Sequence, residues 1–525
     1  MILRQSSFRH LSLVGLSLAI FLGCAVTDRF PQRRAASLSP YPVIETHIPV
    51  PGSGGLVAVV IDSATHAALS VEMDQYAADV RHDLGADVRV LSEDWHSPQA
   101  VRESLRALLG RGLVGAVLVG QVPATYFYAQ LAGPQLDKVP SDFYYMELER
   151  DLALGEDQVF EPPVASASLL PDIWVGRLKP AKEGQAGLEQ LRQYFRRNHD
   201  FRTGRMRYVP QMLVVDDITA SADPLDSASA SSVDVRELGS RSGLYPPGNV
   251  ISPSVMRRQD RSAPDLRRML RSPYELALLS HHGSPTTQEF GGAILTSSKI
   301  EEFAPQPAFY LIWSCSNGDF TSQDYLAGAY LFGGRGLAVL APTVPVFGNA
   351  ESVLPLLWPL SLGATLGESY RYRGFLTPIA LLGDPTLRLR RPPSRAPRIV
   401  LQPTEVDFGT VAPTTADGEA MPLGAQTGET GVVIRVTNTG TAPLVFSRVP
   451  SIAHVFFNGE WATGATATPV SFSTPSQIPP GASDSLVFSF TPTQPGQYAG
   501  FIGLYTNDPQ AILVTIPFRG TGQGN

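Results

Sequence analysis

The chain has 525 residues and a formal net charge of −7, and its arginines are spread along the sequence rather than clustered. A chain of this length is too long for a single hydrophobic core, so we expect several domains. The mild acidity and the scattered basic residues exclude nucleic acid as an expected partner. The 47 glycines and 45 prolines indicate many turns and a β-rich part.

The N-terminus has the pattern of an export signal. Two arginines precede an apolar run over residues 11–22, which is too short to cross a bilayer as a helix. The run ends in Phe21-Leu22-Gly23-Cys24, which resembles a bacterial lipobox. We therefore expect residues 1–24 to be a lipoprotein signal peptide and Cys24 to carry the lipid that anchors an exported protein in the cell envelope. Residues 25–54, rich in Pro, Ser, Arg and Gly, are expected to be a flexible tether. The alternative is an ordinary secretory signal that is cut elsewhere.

Short apolar runs and amphipathic segments then alternate. Strand, helix, strand, helix and strand are predicted in turn at residues 56–61, 70–84, 87–91, 98–109 and 115–120. This alternation is typical of a doubly wound α/β domain with a mostly parallel sheet. The unit, residues 55–207, contains histidines but no cysteine, so we expect it to be non-catalytic. Asp142, Tyr144 and Tyr145 are placed in a loop after Pro140, with the tyrosines packed.

A second α/β unit, residues 208–392, carries the reactive side chains. One apolar strand runs into His281-His282-Gly283, and the next apolar strand along the chain runs into Cys315. The carboxyl ends of parallel strands meet at one edge of a sheet, so His282 and Cys315 are expected to face each other. A thiol needs a neighbouring imidazole because only the thiolate attacks, and the same imidazole then supplies a proton to the leaving amine.

Cysteine usage supports a catalytic thiol. The chain has two cysteines, and if Cys24 carries lipid, Cys315 is a lone thiol in an oxidising compartment. The alternative is a buried, inert cysteine, but the polar neighbours Ser314, Ser316 and Asn317 favour the nucleophile. Gly283 and the peptide N–H of Cys315 are the expected oxyanion donors, because a glycine lets the substrate approach the backbone.

These motifs resemble the gingipain-type branch of the caspase-like cysteine peptidases, in which His-Gly follows one strand and Cys the next. The separation, 315 − 282 = 33 residues, suits that branch. Further similar motifs flank the pair: Val119-Gly120-Gln-Val-Pro123, Pro140-Ser141-Asp142, Pro171 to Leu178 and Leu382-Gly383-Asp384-Pro385. The resemblance covers residues 55–392 and implies a caspase-like fold for both α/β units, the first without the catalytic pair.

The resemblance also implies roles for single residues. The family's catalytic His stands immediately before Gly, which selects His282 rather than His281. An acid near the end of the first strand of the catalytic unit supports that His, and Asp217 is the candidate, although capping the next turn is the commoner role of Asp. No cofactor is required. A calcium ion is known in the family, but no residue of this sequence is identified as its ligand.

Substrate contacts are expected from two loops. In the family an acid from the loop after the first strand lines the specificity pocket, which makes Asp226 and Asp234 the candidates, without assigning a preferred residue at the cleaved bond. Phe347 lies beyond the last catalytic strand, where it either walls a pocket or packs.

The composition changes after a Pro- and Arg-rich linker at residues 393–400. Residues 401–525 show short alternating strands with turn signals, which predicts an all-β sandwich of Ig-like type. The turns Phe408-Gly409-Thr410 and Asn438-Thr439-Gly440 resemble those of ASPM–SPD2–Hydin-like and choice-of-anchor modules of bacterial surface proteins. This part contains no cysteine, so we expect no catalysis there.

The sequence therefore predicts an exported, lipid-anchored cysteine endopeptidase that acts on proteins or peptides. The alternative is a non-catalytic surface scaffold or adhesin that keeps the caspase-like fold and binds through its sandwich. A serine hydrolase and a zinc hydrolase are less favoured, because the sequence has neither a Gly-x-Ser-x-Gly elbow nor a His-Glu-x-x-His pattern.

Overall fold

The computed structural model describes most of the chain beyond the expected tether. The described residues are 55–129, 136–161, 170–217, 242–251, 262–346, 354–372, 378–412, 430–447, 452–458, 460–462 and 469–523. The expected signal peptide and tether lie outside them, as do Cys24, Asp226, Asp234 and Phe347. Within the described residues, no helix combines the length and the apolar character needed to cross a membrane.

The described residues of the first two thirds of the chain form fifteen strands. They are β1 Leu56–Asp62, β2 Asp87–Glu93, β3 Leu113–Val119, β4 Tyr126–Ala129, β5 Asp137–Pro140, β6 Trp174–Leu178, β7 Val209–Asp216, β8 Val250–Ile251, β9 Tyr274–Ser280, β10 Gly283–Ser284, β11 Thr287–Phe290, β12 Ala293–Thr296, β13 Phe309–Trp313, β14 Ala338–Pro342 and β15 Ile379–Gly383. Ten of them form one sheet in the order β2-β1-β3-β6-β15-β14-β13-β9-β7-β8. Strand β15 is antiparallel to β14, whereas β1, β2, β3 and β6 pair in parallel, as do β14, β13, β9, β7 and β8.

Helices cover both faces of this sheet. They are α1 Ser63–Ala68, α2 Ser70–Leu84, α3 Pro98–Leu109, α4 Phe143–Met146, α5 Gly184–Arg202, α6 Ala263–Met269, α7 Ser297–Phe303, α8 Leu326–Phe332, α9 Leu354–Ser361 and α10 Leu366–Arg371, with a short 3-10 turn at Pro247–Asn249. Strand β1 shows the arrangement: Val57 and Val59 pack in the core with α2 and α5, while Ala58 and Val60 pack with α3 and α4 on the other face. Side chains of a strand alternate between faces, so an all-apolar strand is buried on both.

The predicted α/β part is thus a mixed α/β unit with a large, parallel-rich sheet, but its two halves are not separate sheets. Strand β15 comes late in the chain, yet it lies between β6 of the first half and β14 of the second. Strand patterns identify elements without showing which are neighbours, so this join was not predicted. The predicted loop after Pro140 also differs, because Phe143–Met146 forms the short helix α4, whereas Tyr144 and Tyr145 are packed as expected.

A buried carboxylate ties the segment after β15 to two helices. Asp384 is fully buried and accepts hydrogen bonds from Tyr76 Oη at 2.8 Å, Asn198 Nδ2 at 2.7 Å and Arg202 Nη2 at 2.6 Å. Thr386 adds its backbone N at 2.9 Å and its hydroxyl at 2.6 Å. Burial alone would raise the pKa of Asp384, but the Arg202 charge and these hydrogen bonds hold it below its usual value. We call these five side chains the Asp384 network.

The C-terminal part is all β. Its strands are β16 Ile399–Gln402, β17 Val406–Val411, β18 Thr430–Asn438, β19 Ile452–Phe457, β20 Glu460–Trp461, β21 Val470–Ser473, β22 Ser483–Phe490, β23 Gly496–Tyr505 and β24 Leu513–Gly522. They form sheets of order β16-β18-β22-β21 and β17-β24-β23-β19-β20, which enclose one apolar core. Strand β16 starts inside the segment expected to be linker. The sandwich packs on the α/β part, where Trp358 Nε1 donates to Thr506 O at 2.9 Å and Tyr505 Oη to Tyr372 O at 3.2 Å.

Candidate active site

The ends of β9 and β13 bring His282 and Cys315 to the same edge of the sheet. The two strands are parallel neighbours in a register that pairs Ser280 with Trp313, an offset of 313 − 280 = 33 residues. The ladder continues one step beyond the strands, since the backbone N of His281 donates to Trp313 O at 3.2 Å. The same offset separates His282 from Cys315, so both residues stand two positions beyond the last strand pair. We call residues 281–284 and 314–318 the rim.

The segment that carries Cys315 is held against the end of β14. The backbone N of Ser316 donates to Val344 O at 2.9 Å, and that of Gly318 to Pro342 O at 2.8 Å. Ser316 has φ +56°, a left-handed conformation that costs a non-glycine residue energy. A Cβ on Gly318 would lie 2.2 Å from Ala341 O, so only glycine fits there. The chain therefore turns sharply just after Cys315, and its position is fixed by the sheet.

The two segments of the rim pack directly on each other. A Cβ on Gly283 would lie 2.5 Å from Ser314 Oγ and 2.7 Å from Asn317 Nδ2. Asn317 is completely buried, and its Nδ2 donates to Ser284 O at 2.5 Å and to Thr287 O at 3.0 Å. One amide side chain thus links the segment after Cys315 to the segment after His282. The sequence analysis used Asn317 only as a polar neighbour of the thiol and missed this link.

The two adjacent histidines have different environments. His281 is 3% exposed, and its Nδ1 donates to His282 O at 3.1 Å. Its Nε2 has no hydrogen-bond partner in the described part of the chain. Burial lowers the pKa of His281 to about 4, so it is neutral at pH 7. The imidazole of His282 is exposed to solvent instead. An incoming substrate therefore has access to His282.

Cys315 is partly exposed, and it is a free thiol. Its Sγ lies 3.8 Å from the carbonyl oxygen of Val346, to which the thiol can donate a weak hydrogen bond. The carbonyl belongs to the segment after β14, next to the predicted Phe347, which is itself outside the described residues. The thiol thus stands at the surface of the rim, next to the segment that follows β14.

Asp217 follows β7, the strand on the other side of β9. Its backbone N donates to Ser280 O at 2.7 Å, and its buried carboxylate accepts a hydrogen bond from the backbone N of Gly291 at 3.0 Å. The β7–β9 register pairs Asp216 with Ser280, which sets Asp217 level with His281. Asp217 therefore anchors the turn between β11 and β12 beside the rim. Its expected role in orienting His282 stays a prediction.

A cleft of about 200 Å³ opens next to the segment that follows the rim. It is lined by residues of the first half of the sheet together with one residue of the cysteine segment: Gln121, Val122, Pro123, Ala124, Arg177, Lys179 and Phe320. The Arg177 guanidinium stands 4.5 Å from the centre of the Phe320 ring and forms an ion pair of 2.6 Å with Asp142. Asp142, expected in a loop, is thus a buried partner of Arg177. The half expected to be non-catalytic therefore lines a cleft together with Phe320, five residues after Cys315.

The described residues offer no ligand set for the calcium ion that the resemblance implies. They contain no group of three or more His, Cys, Asp or Glu side chains arranged to hold a metal ion. No step of the chemistry below is assigned to a metal.

Comparisons with known proteins give remote similarities. No family model and no curated protein sequence matches the chain. Among solved structures, the Arg-specific cysteine proteinase gingipain R is 14% identical, with 92% of this chain and 100% of that chain covered and a TM-score of 0.45. An ASH/PapD-like domain of human CEP192 is 14% identical over 26% of this chain and 94% of its own, with a TM-score of 0.19. A protein of unknown function from Porphyromonas gingivalis W83 is 20% identical over 28% of this chain and 56% of its own, with a TM-score of 0.17.

Proposed function

We propose that the protein is a cysteine endopeptidase with a caspase-like catalytic unit of gingipain type and an Ig-like sandwich. One observation carries the proposal: in the β9–β13 register His282 and Cys315 have the same offset as the paired strand residues, which supports a thiol and an imidazole that act together at one edge of the sheet. Nucleophile and base within reach of each other are the minimum requirement for thiol catalysis. The burial of His281 supports His282 as the base.

The chemistry follows from these two groups. The Cys315 thiolate attacks the carbonyl carbon of the scissile peptide bond, and the backbone amides of Gly283 and Cys315 donate to the developing oxyanion. His282 then gives its proton to the departing amine, the C–N bond breaks, and a thioester links the acyl part of the substrate to Sγ. A water molecule attacks the thioester, His282 accepts a proton of that water, and the C–S bond breaks, which releases the carboxylic acid and restores the Cys315 thiolate beside the protonated His282.

The substrate is a protein or peptide that binds across the rim. Asp226 and Asp234 are proposed to contact the side chain at the cleaved bond, and Phe347 to wall the pocket, on the strength of the family resemblance. Asp217 is proposed to orient His282. No preference for a particular residue at the cleaved bond is assigned.

The decisive experiment is covalent labelling of the detergent-solubilised full-length chain with peptide acyloxymethyl ketones that differ in sequence. We expect labelling at Cys315 that depends on the peptide, that is absent in Cys315→Ala, and that falls by roughly 100-fold or more in His282→Ala, the range of general acid–base catalysis. His96→Ala is the matched control, because His96 is exposed and far from the rim in sequence. Labelling that ignores both the peptide and His282 would reject the peptidase and leave the non-catalytic scaffold.

We also propose that Cys24 carries a lipid that anchors the exported protein in the cell envelope. The lipobox-like end of the apolar run supports this. Metabolic labelling with an alkyne fatty acid should tag the wild-type protein and leave Cys24→Ser untagged. Equal tagging of both would reject the anchor.

A further inference from the structure

The cleft contains one cation, Lys179, that has no partner among the residues the structure describes. The protein has four lysines, Lys138, Lys179, Lys182 and Lys299. Lys182 pairs with Asp324 at 2.6 Å, Lys299 pairs with Glu302 at 2.7 Å, and Lys138 Nζ donates to Asp157 O at 2.7 Å. Lys179 is partly buried, and no hydrogen bond or ion pair of its ammonium is found among the described residues.

The other charges around the cleft are already satisfied. Arg177 donates to both carboxylate oxygens of Asp142 and to the carbonyls of Val122 and Pro123, and it is 1% exposed. Four of its five N–H donors are thus used, and its charge is paired with Asp142 at the base of the cleft. The Asp319 carboxylate accepts hydrogen bonds from Thr321 N at 3.0 Å, Thr321 Oγ1 at 2.6 Å and Ser322 Oγ at 3.1 Å. Asp319 thus caps its own turn rather than pairing with Lys179.

Burying an ammonium without a partner is costly, so an unpaired, partly buried lysine in a cleft points to a ligand that neutralises it. Burial and the nearby Arg177 charge lower the pKa of Lys179, whereas Asp319 and Glu183 act in the opposite direction. Apolar side chains, Val122, Pro123 and the ring of Phe320, line the same cleft, together with the polar Gln121. A carboxylate carried on a peptide matches both features, because the peptide's carbon atoms cover the apolar wall and its charge meets the ammonium.

The segment that follows the rim also lines the cleft. Phe320 follows Cys315 by five residues, and Tyr325 Oη, at the end of the same segment, donates to Lys179 O at 2.7 Å. Five residues span at most about 17 Å, so an extended peptide that lies across Cys315 is long enough to reach the cleft with a residue beyond the cleaved bond. We propose that this cleft is a substrate subsite in which Lys179 binds a carboxylate, either an acidic side chain or a free C-terminus. This inference rests on the proposed peptidase function, because only a peptidase would make the bound peptide a substrate.

The test measures binding, so it does not depend on turnover. The full-length Cys315→Ala protein is titrated against a positional library of fluorescein-labelled octapeptides, read by fluorescence anisotropy. At each position Glu is compared with Gln, and each peptide is made with a free or an amidated C-terminus. We expect one position, or the free C-terminus, to improve affinity by about tenfold, the effect of one charge-assisted hydrogen bond. The two arms distinguish a side chain from a terminal carboxylate.

Adding Lys179→Met should abolish this preference, because Met keeps most of the stem and loses the charge, and Lys179→Arg should restore it in part. Lys299→Met, on the exposed α7, is the matched control and should leave the preference intact. A carboxylate preference that survives Lys179→Met, the absence of any such preference, or the absence of peptide binding would each overturn the proposal. The two proposals can fail separately. If the wild-type protein shows no peptide-dependent labelling of Cys315 but peptide binding still depends on Lys179, the carboxylate site stands and the peptidase is rejected.

Discussion

The Asp384 network and the rim both contain buried polar side chains, but they differ in how many of those side chains form hydrogen bonds. Both oxygens of the buried Asp384 carboxylate accept hydrogen bonds, from four side chains and one backbone N–H. In the rim, His281 Nε2, Ser314 Oγ and Asn317 Oδ1 are all buried without a partner among the described residues. Seven such atoms are found in the described part of the chain, and three lie in these two short segments. Unsatisfied groups therefore concentrate in the segments that carry His282 and Cys315.

The difference has a physical reason. A fully bonded network stabilises a single arrangement of the elements it joins, here α2, α5 and the segment after β15. An unsatisfied buried group costs free energy, and native proteins keep such groups mainly where function needs them. The comparison predicts that substitutions in the network change stability, whereas substitutions in the rim change reactivity or the response to pH.

The largest expected effect is that of Asp384→Asn. The substitution removes the negative charge that faces the Arg202 guanidinium, which is 3% exposed, and leaves that cation only its second ion pair, with Asp83. Breaking a buried ion pair in this way typically costs about 3–5 kcal/mol. We expect a loss of that size in the free energy of unfolding, measured by urea denaturation with tryptophan fluorescence.

Asp407→Asn is the matched control for this prediction. Asp407 pairs with Arg519 at 2.8 Å, but both side chains are largely exposed, so the loss should be less than about 0.5 kcal/mol. Equal losses for the two variants would show that the Asp384 network contributes no more than a surface ion pair.

The second prediction concerns the buried imidazole of the rim. The pKa of His281 is lowered from 6.5 to about 4, so the folded protein holds this proton less tightly than the unfolded chain. The stability that this lowered pKa contributes is fully present above pH 6.5. The free energy of unfolding then falls by about 3 kcal/mol in total as the pH drops towards 4 and the folded protein must take up the proton. His281→Asn keeps a donor for His282 O and cannot titrate, so it should lose less stability over this range than the wild type.

The measurement is the free energy of unfolding of both proteins at steps between pH 7 and pH 4. Only the difference between the two curves is interpreted, because carboxylates titrate over the same range in both. His96→Ala, which removes an exposed imidazole, should follow the wild-type curve. Parallel curves for wild type and His281→Asn would contradict the lowered pKa.

Part of the site could be predicted from sequence because it depends on local patterns. The apolar runs before His281 and Cys315 are strand-length, and parallel strands share an edge, so the two reactive residues were expected to meet. The strands and helices of the first half were predicted close to their bounds, as with α2 and α3. In these cases the chain itself carries the periodicity that decides the structure.

The rest depends on contacts between distant parts of the chain. Lys179 and Phe320 are 320 − 179 = 141 residues apart, and no periodic pattern links them. The amide of Asn317 finds its acceptors only once β10 and β11 fold beside the cysteine segment. Likewise, β15 pairs with β6 of the first half of the sheet, and hydrophobic patterns do not encode the order of strands in a sheet.

The smallest expected change in stability, with a marked effect on reactivity, comes from Gly283→Ala. The added Cβ would lie 2.5 Å from Ser314 Oγ and 2.8 Å from Thr287 O, so the two segments of the rim must move apart. Overpacking of this kind costs about 1–3 kcal/mol. Because a small displacement of a reacting group slows chemistry steeply, peptide-probe labelling of Cys315 should fall by roughly tenfold or more.

Gly110→Ala provides the matched glycine substitution. Gly110 ends α3 with φ −63°, and no heavy atom lies within 4 Å of its added Cβ. We expect unchanged labelling and a free energy of unfolding that is equal or higher by up to about 1 kcal/mol, since alanine reduces the freedom of the unfolded chain. If Gly283→Ala labels as fast as Gly110→Ala, the close packing of the two rim segments is not what positions the thiol. The difference between network and rim would then lie in stability alone.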